Sequence, residues 1–301
     1  MKERLENIVS EKDGLKIELC IVEPEKDIKG VVQISHGMAE HKERYKDFMS
    51  FLANNGYVAV IHDHRGHGKS VKSINDLGYF YTEDINYIVD DLYQVTEYIK
   101  GMYPGLNIYL FSHSMGTLVS RAFIQKYDNA IKKLILCGPP TENKHVSLGL
   151  KLAKIEKFFR GDRKQSNFLN KLTFKKYNKD YKVENEWLCS EFDVVRKYNS
   201  DPLCGFIFKT NGFINLYKLM EKAYSKGSYA VKNKELNIYI IAGEYDPVIQ
   251  SEAKLLELRE FLKSVGYSSI SVKTYPLRRH ELINEVNKFE VYDDILKFIE
   301  G

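Results

Sequence analysis

The chain has 301 residues, 44% of them hydrophobic and 29% charged, with a formal net charge of +4. That length suits one large α/β domain with an insertion, or two smaller domains. The composition excludes a disordered or fibrous chain, and a balance of +4 is a weak argument for an anionic partner. Lys and Arg show no single dense run of the kind that binds nucleic acid.

The N-terminus, Met1-Lys2-Glu3-Arg4-Leu5-Glu6, has no apolar centre of the signal-peptide kind. No stretch approaches the apolar length of a membrane span. The four cysteines, Cys20, Cys137, Cys189 and Cys204, form no C-x-x-C pair and have no zinc-ligand spacing with His. Together these features predict a reduced, cytoplasmic protein.

Apolar runs rich in β-branched and aromatic residues predict strands at Leu15–Val22, Val31–Ser35, Tyr57–His62, Asn107–Ser112, Lys133–Cys137, Asn237–Ala242 and Ser271–Tyr275. Helical periodicity lies between most of them, at about Arg44–Asn54, Asp84–Gly101, Gly116–Tyr127, Glu252–Val265 and Ile283–Ile299. Strand–helix alternation of this kind predicts an α/β fold with a mostly parallel sheet covered on both faces. The alternation breaks between about Thr141 and Lys234, a Lys-, Tyr- and Phe-rich stretch too long for a loop. The expected organisation is a core of residues 1–140 and 235–301, with a helical cap, 141–234, inserted before the last strands.

In parallel sheets, chemistry gathers at the carboxyl ends of the strands. The run Tyr109-Leu110-Phe111-Ser112-His113-Ser114-Met115-Gly116 reads as a buried strand turning sharply into a helix. A serine at such a turn is lifted out of the sheet beside a helix N-terminus, which makes Ser114 a candidate nucleophile. The usual pattern there is G-x-S-x-G, and Ser112 stands where the first glycine would be. Serine is small enough for the position, at an expected cost of about 1 kcal/mol in strain.

Acyl transfer by serine also needs a base, a carboxylate to orient it, and N–H donors for the oxyanion. Asp246 follows a predicted strand in Gly243-Glu244-Tyr245-Asp246-Pro247-Val248, where Pro247 holds it extended. A turn aspartate that caps the next helix is the plainer reading of Asp246, and Glu244 is a competing carboxylate. His280 follows the last predicted strand in Arg278-Arg279-His280-Glu281. Alone it is an ordinary loop histidine. The order Ser, Asp, His at three strand ends is the chain order of α/β-hydrolases. Oxyanion donors are expected from the N–H of Met115 and from the loop His36-Gly37-Met38-Ala39-Glu40-His41, where Gly37 permits close approach and Met38 offers its N–H. The histidines at 62, 64 and 67 invite a metal reading, but no carboxylate–His set with ligand spacing accompanies them. A structural loop with Asp63 and Arg65 in polar contacts is the better expectation.

On these residues the chain resembles the monoacylglycerol lipase and lysophospholipase branch of the serine α/β-hydrolases. The resemblance is carried by His36–His41 with Arg44-Tyr45, by Asp63–Ser70, by His113–Gly116, by Gly243–Val248, by Arg279-His280-Glu281 and by Asp201-Pro202-Leu203-Cys204. It spans nearly the whole chain. It implies an α/β-hydrolase fold, a triad of Ser114, Asp246 and His280, and an oxyanion hole from Met38 and Met115. It also implies that neither cofactor nor metal is needed, and that the substrate is an ester of a single-chain lipid. Thioester hydrolysis or acyl transfer would use the same machinery, and a binding protein that has lost catalysis is a rival of another class. A dehalogenase or epoxide hydrolase would carry aspartate at position 114.

Leu148, Leu152, Ile155, Phe158 and Phe159 recur at helical spacing, with Lys151, Lys154 and Lys157 between them. Such a helix either packs its apolar side over the site, the commoner arrangement, or makes transient contact with an anionic membrane surface.

Overall fold

The computed structural model describes residues 1–301. Its centre is one eight-stranded sheet in the order β1-β2-β4-β3-β5-β6-β7-β8. The strands are β1 (Lys2–Val9), β2 (Lys16–Glu23), β3 (Gly30–Ser35), β4 (Tyr57–His62), β5 (Ile108–His113), β6 (Lys133–Cys137), β7 (Asn237–Gly243) and β8 (Ile270–Tyr275). β1 pairs antiparallel with β2, and β2 antiparallel with β4; all later pairs are parallel. The predicted strands are present with ends shifted by at most a residue or so.

β3, β4, β5 and β6 are buried at every position. A strand covered on both faces has no polar side to alternate with, which is why these read as continuous Val/Ile/Leu runs. One face is covered by α1 (Lys46–Asn54) and α9 (Lys288–Glu300), whose Phe48, Leu52, Tyr292 and Ile295 pack on Ile34, Phe111 and Ile241. On the other face lie α2 (Asn86–Met102), α3 (Met115–Tyr127) and α8 (Glu252–Val265), with Leu92, Leu118 and Leu258 against Leu110 and Ile240.

Two expectations shift. β1 went unrecognised because its sequence, KERLENIV, is charged and half exposed; it is an edge strand that buries little. The last helix begins at Lys288 rather than near Ile283. Asn287 before it takes a left-handed φ of 59°, which interrupts the helical path and leaves Leu282–Asn284 as a separate 3-10 turn.

Between β6 and β7 the chain adds no strand to the sheet. It runs through α4 (Val146–Arg160), α5 (Asn167–Phe174), α6 (Phe192–Ser200) and α7 (Thr210–Ala223). α7 is the best buried of these, with Phe213, Ile214 and Leu219 joined to the main core. α4 and α5 both rest on it: Gly149 faces the Tyr217 ring, and Thr173 shares a 2.8 Å hydrogen bond with the Tyr217 hydroxyl.

Candidate active site

β5 ends at His113, α3 begins at Met115, and the single residue between them makes the turn. Ser114 has φ 51° and ψ −120°, a conformation costly for a residue with a Cβ. It is held there from both sides. Its N–H donates to the Cys137 carbonyl at 3.0 Å. Gly116 lies so close to β3 that a Cβ would sit 2.2 Å from the Ser35 carbonyl oxygen. Glycine is therefore obligatory at 116, where helix meets strand.

Ser112 is different. It lies within β5, has no positive φ, and its buried hydroxyl donates to the Ile135 carbonyl at 2.9 Å. The strain expected at Ser112 falls at Ser114 instead, and Ser112 contributes a hydrogen bond across to β6.

The loop after β3 reaches the same place. A Cβ on Gly37 would meet Glu40 Oε1 at 2.6 Å and Ser114 Cβ at 3.1 Å, so only glycine lets this backbone lie against the elbow. Ala39 completes the turn with φ 52°. The N–H groups of Met38 and Met115 donate to no other group of the protein, and both residues line the same cavity as Ser114.

Asp246 and His280 come together from the ends of β7 and β8. His280 Nδ1 lies 2.8 Å from Asp246 Oδ2, with the two residues 1% and 3% exposed. The other Asp246 oxygen accepts the Val248 N–H at 2.8 Å. Asp246 thus caps the following 3-10 turn and meets the imidazole at once. Glu244 is exposed and accepts the Leu277 N–H at 2.9 Å, outside the cavity. Bound to Asp246 through Nδ1, His280 keeps Nε2 for other work. Its ring is wedged between His113, at 4.7 Å, and Trp187, at 5.2 Å. Gly138 closes the back; a Cβ there would lie 3.0 Å from the imidazole. Ser114 and His280 share the cavity without a direct hydrogen bond between their side chains.

A buried charged chain underlies these groups, and reasoning on the sequence did not assign it a role. Glu40 Oε1 accepts the Gly37 N–H at 2.6 Å and the Tyr45 hydroxyl at 2.9 Å, and lies 3.1 Å from His113 Nδ1. Arg44 bonds Glu40 at 2.6 Å and reaches both oxygens of Glu281, at 2.7 and 2.6 Å. Burial alone would raise the Glu40 carboxyl, but His113 and Arg44 hold it well below the ordinary range. Burial likewise works against a charged His113, and the contact with Glu40 outweighs it and raises its pKa. The sequence signal was present: Glu40 and Arg44 sit four apart, and Glu281 adjoins His280.

The segment between β6 and β7 is fastened to this frame. His41 Nε2 meets Asp201 at 2.9 Å, the Gly205 N–H donates to the Ala39 carbonyl at 2.9 Å, and the Tyr198 hydroxyl donates to the same oxygen at 3.1 Å. Beside it, Asp63 binds Lys42 and Arg65 binds Asp91 and Asp13. His36, His62, His64 and His67 pack ring against ring between them.

The cavity has a volume of about 530 Å³, within the range of small-molecule sites. Met38, Leu118, Phe174, Trp187, Phe206, Ile207, Leu216 and Met220 give it apolar walls. Asn167, Asn170, Lys171, Lys175 and Asn178 contribute a polar side.

The family model described as serine aminopeptidase, S33, matches residues 26–287. A monoacylglycerol lipase of Mycolicibacterium smegmatis is 25% identical over 289 residues, covering 95% of this chain and 93% of that protein. A probable lysophospholipase L2 of Haemophilus influenzae is 26% identical over 119 residues, 40% of this chain and 37% of that one. A thermostable carboxyl esterase from Bacillus coagulans, solved with glycerol, superposes with a TM-score of 0.89 at 25% identity, covering 100% of this chain and 99% of that one.

Proposed function

For a chain that belongs to the serine aminopeptidase S33 family of α/β-hydrolases, we propose carboxylic-ester hydrolysis of single-chain lipids, monoacylglycerols or lysophospholipids, through an acyl-enzyme on Ser114. Ser114 Oγ attacks the ester carbonyl while His280 Nε2 takes its proton. The carbonyl oxygen, now negative, receives the N–H groups of Met38 and Met115. His280 returns the proton to the leaving alcohol as the C–O bond breaks. Water, deprotonated by the same imidazole, then attacks the acyl-enzyme and releases the fatty acid and Ser114. Asp246 fixes the tautomer of His280 and stabilises the imidazolium in both halves.

The observation that carries this reading is the 2.8 Å pair of His280 and Asp246, set beside Ser114 and two undonated amides in one cavity. The substrate class rests on the cavity's apolar walls and on the names of the relatives. Residues 141–234 serve as a cap over a core of 1–140 and 235–301; their attachment at His41–Asp201 and Ala39–Gly205 supports that division.

Ser114→Ala should abolish labelling by a fluorophosphonate probe and hydrolysis of a monoacylglycerol. Retained labelling would move the nucleophile elsewhere. Comparing monoacylglycerol, acyl-CoA and an added alcohol acceptor separates ester hydrolysis from thioesterase and acyltransferase activity, which the same acyl-enzyme permits.

A further inference from the structure

No cysteine has zinc-ligand spacing with a histidine along the sequence, yet the fold assembles one such set from distant parts. His41 ends the loop after β3, and Asp201-Pro202-Leu203-Cys204 follows α6, 160 residues further on. One ligand atom from each of His41, Asp201 and Cys204 lies within 4.8 Å of the other two. His41 and Cys204 are buried, while the Asp201 side chain is 32% exposed.

Local structure aims these side chains at one another. The Cys204 N–H donates to the Asp201 carbonyl at 3.0 Å, a turn that brings the two residues together. The Leu203 N–H donates to Asp201 Oδ1 at 2.8 Å, which orients the carboxylate. Its other oxygen, Oδ2, turns to His41 Nε2 at 2.9 Å. Cys204 is a free thiol, and Asp201 is the one side chain that the His41 ring bonds. On either side of the cluster the loop and the turn are already tied, because the Gly205 N–H and the Tyr198 hydroxyl both donate to the Ala39 carbonyl.

The donor types select the ion. Thiolate, imidazole and carboxylate together suit zinc, whereas calcium and magnesium take oxygen alone. In a tetrahedral zinc site neighbouring donor atoms stand roughly 3.3–3.6 Å apart, as bonds of about 2.0–2.3 Å require. The 2.9 Å pair and the 4.8 Å limit lie on either side of that spacing. Side-chain rotation of about 1 Å closes the set around an ion. The open side of Asp201 leaves the fourth position to water. Burial pushes the Cys204 thiol up, so its proton passes to solvent as the sulfur–metal bond forms. Asp201 and the thiolate then supply two negative charges, which a divalent ion cancels. Arg44 lies close by, but its charge is already met by Glu40 and Glu281.

We propose that His41, Asp201 and Cys204 bind a divalent cation of the zinc class, which clasps the segment between β6 and β7 to the loop that carries Met38. None of the three lines the cavity, so the ion bears on the hold between these parts and not on the reacting atoms. The site goes beyond the ester-hydrolase reading and does not depend on it.

The test uses the full chain, stripped of metal with a chelator and titrated with Co²⁺ as a spectroscopic probe. One equivalent should give a thiolate-to-cobalt charge-transfer band with the strong visible bands of four-coordinate cobalt, and Zn²⁺ should displace it. Zinc at about a hundredfold excess over its dissociation constant should raise the thermal midpoint by roughly 4 °C. Cys204→Ser should abolish the charge-transfer band. That variant and Asp201→Asn should each weaken zinc binding at least about tenfold, since losing even an outer partner of a ligand costs that much. Without metal, Cys204→Ser should hydrolyse a short-chain ester and take a fluorophosphonate label at wild-type rates; if it fails to fold, Asp201→Asn carries the test. Absence of the band, a band that survives Cys204→Ser, or a spectrum of six-coordinate cobalt alone would overturn the proposal. Zinc affinity unchanged in both variants would do the same, and would move the binding to another group such as the exposed His145. Hydrolysis lost on chelation would make the ion catalytic and overturn the clasp. If Ser114→Ala keeps its labelling while cobalt binding holds, the ester reading fails and the metal site stands.

Discussion

Glu40, Arg44 and Glu281 beneath the cavity are largely enclosed, and each charge is met by one of opposite sign. Nine lysines of the segment between β6 and β7, from Lys144 to Lys182, are exposed and have no acidic partner. Both regions are rich in charge, yet the physics differs. A buried ion pair is stable only in its own geometry, because each partner has lost water. It therefore fixes the backbone that carries it, here Gly37, the His113 ring and the Glu281 N–H bonded to Leu188. An exposed lysine keeps its hydration and its mobility, and is free to exchange water for another anion. The lower region is built to hold one arrangement, and the upper one keeps its water and its freedom to move.

Arg44→Met tests the contrast most severely. It leaves Glu40 and Glu281 as two buried carboxylates without their cation. Unfolding in urea should show a loss of about 3–5 kcal/mol, and the short-chain esterase rate should fall with it as Gly37 and Glu281 lose their anchorage. Lys154→Met, on the outer face, should change stability by no more than about 0.5 kcal/mol. A similar small effect at both positions would remove the distinction.

Acid should find the lower region first. Burial lowers the pKa of His36, and of His64 well below the ordinary value; it takes His62 and His67 to about 3. Unfolded, each would titrate near 6.5. Between these values the unfolded chain binds protons that the folded chain refuses. The stability contributed by neutral His62 and His67 is complete above about pH 6.5 and declines as pH falls toward 3, by on the order of 1 kcal/mol per pH unit for each ring fully engaged, and His36 and His64 act in the same direction. Urea midpoints should therefore drop steeply between pH 7 and pH 5. A flat profile over that range would show that the rings are charged or wet in the native state.

The same contrast decides what could be read before the fold was known. β3 to β6 were legible because strands buried on both faces must be apolar throughout, and Ser114, Asp246 and His280 were singled out because they follow the carboxyl ends of β5, β7 and β8. Glu40, Arg44 and Glu281 were visible as letters, but a pairing across 237 positions is set by the sheet order and leaves no local periodicity. α4 misled for a related reason. Its apolar residues repeat at helical spacing whether they face a core or solvent; in the structure Gly149 and Ala153 are buried, while Leu148, Ile155, Phe158 and Phe159 are exposed. β1 was missed because an edge strand with its side chains in water carries the composition of a surface.

Ser112 offers the mildest test, and it runs against the sequence pattern. The family's usual glycine suggests that Ser112→Gly should relieve the elbow. In the structure Ser112 has ordinary strand geometry and donates to the Ile135 carbonyl, while the strained residue is Ser114. Glycine would remove that bond and add chain entropy to the unfolded state. The expected result is a loss of about 1–2 kcal/mol, with kcat/KM for a short-chain ester unchanged. Ser112→Ala isolates the hydrogen bond and should cost about 1 kcal/mol. Should glycine stabilise the protein instead, the hydroxyl would be a burden on β5, and the elbow's strain would extend two residues further back than Ser114.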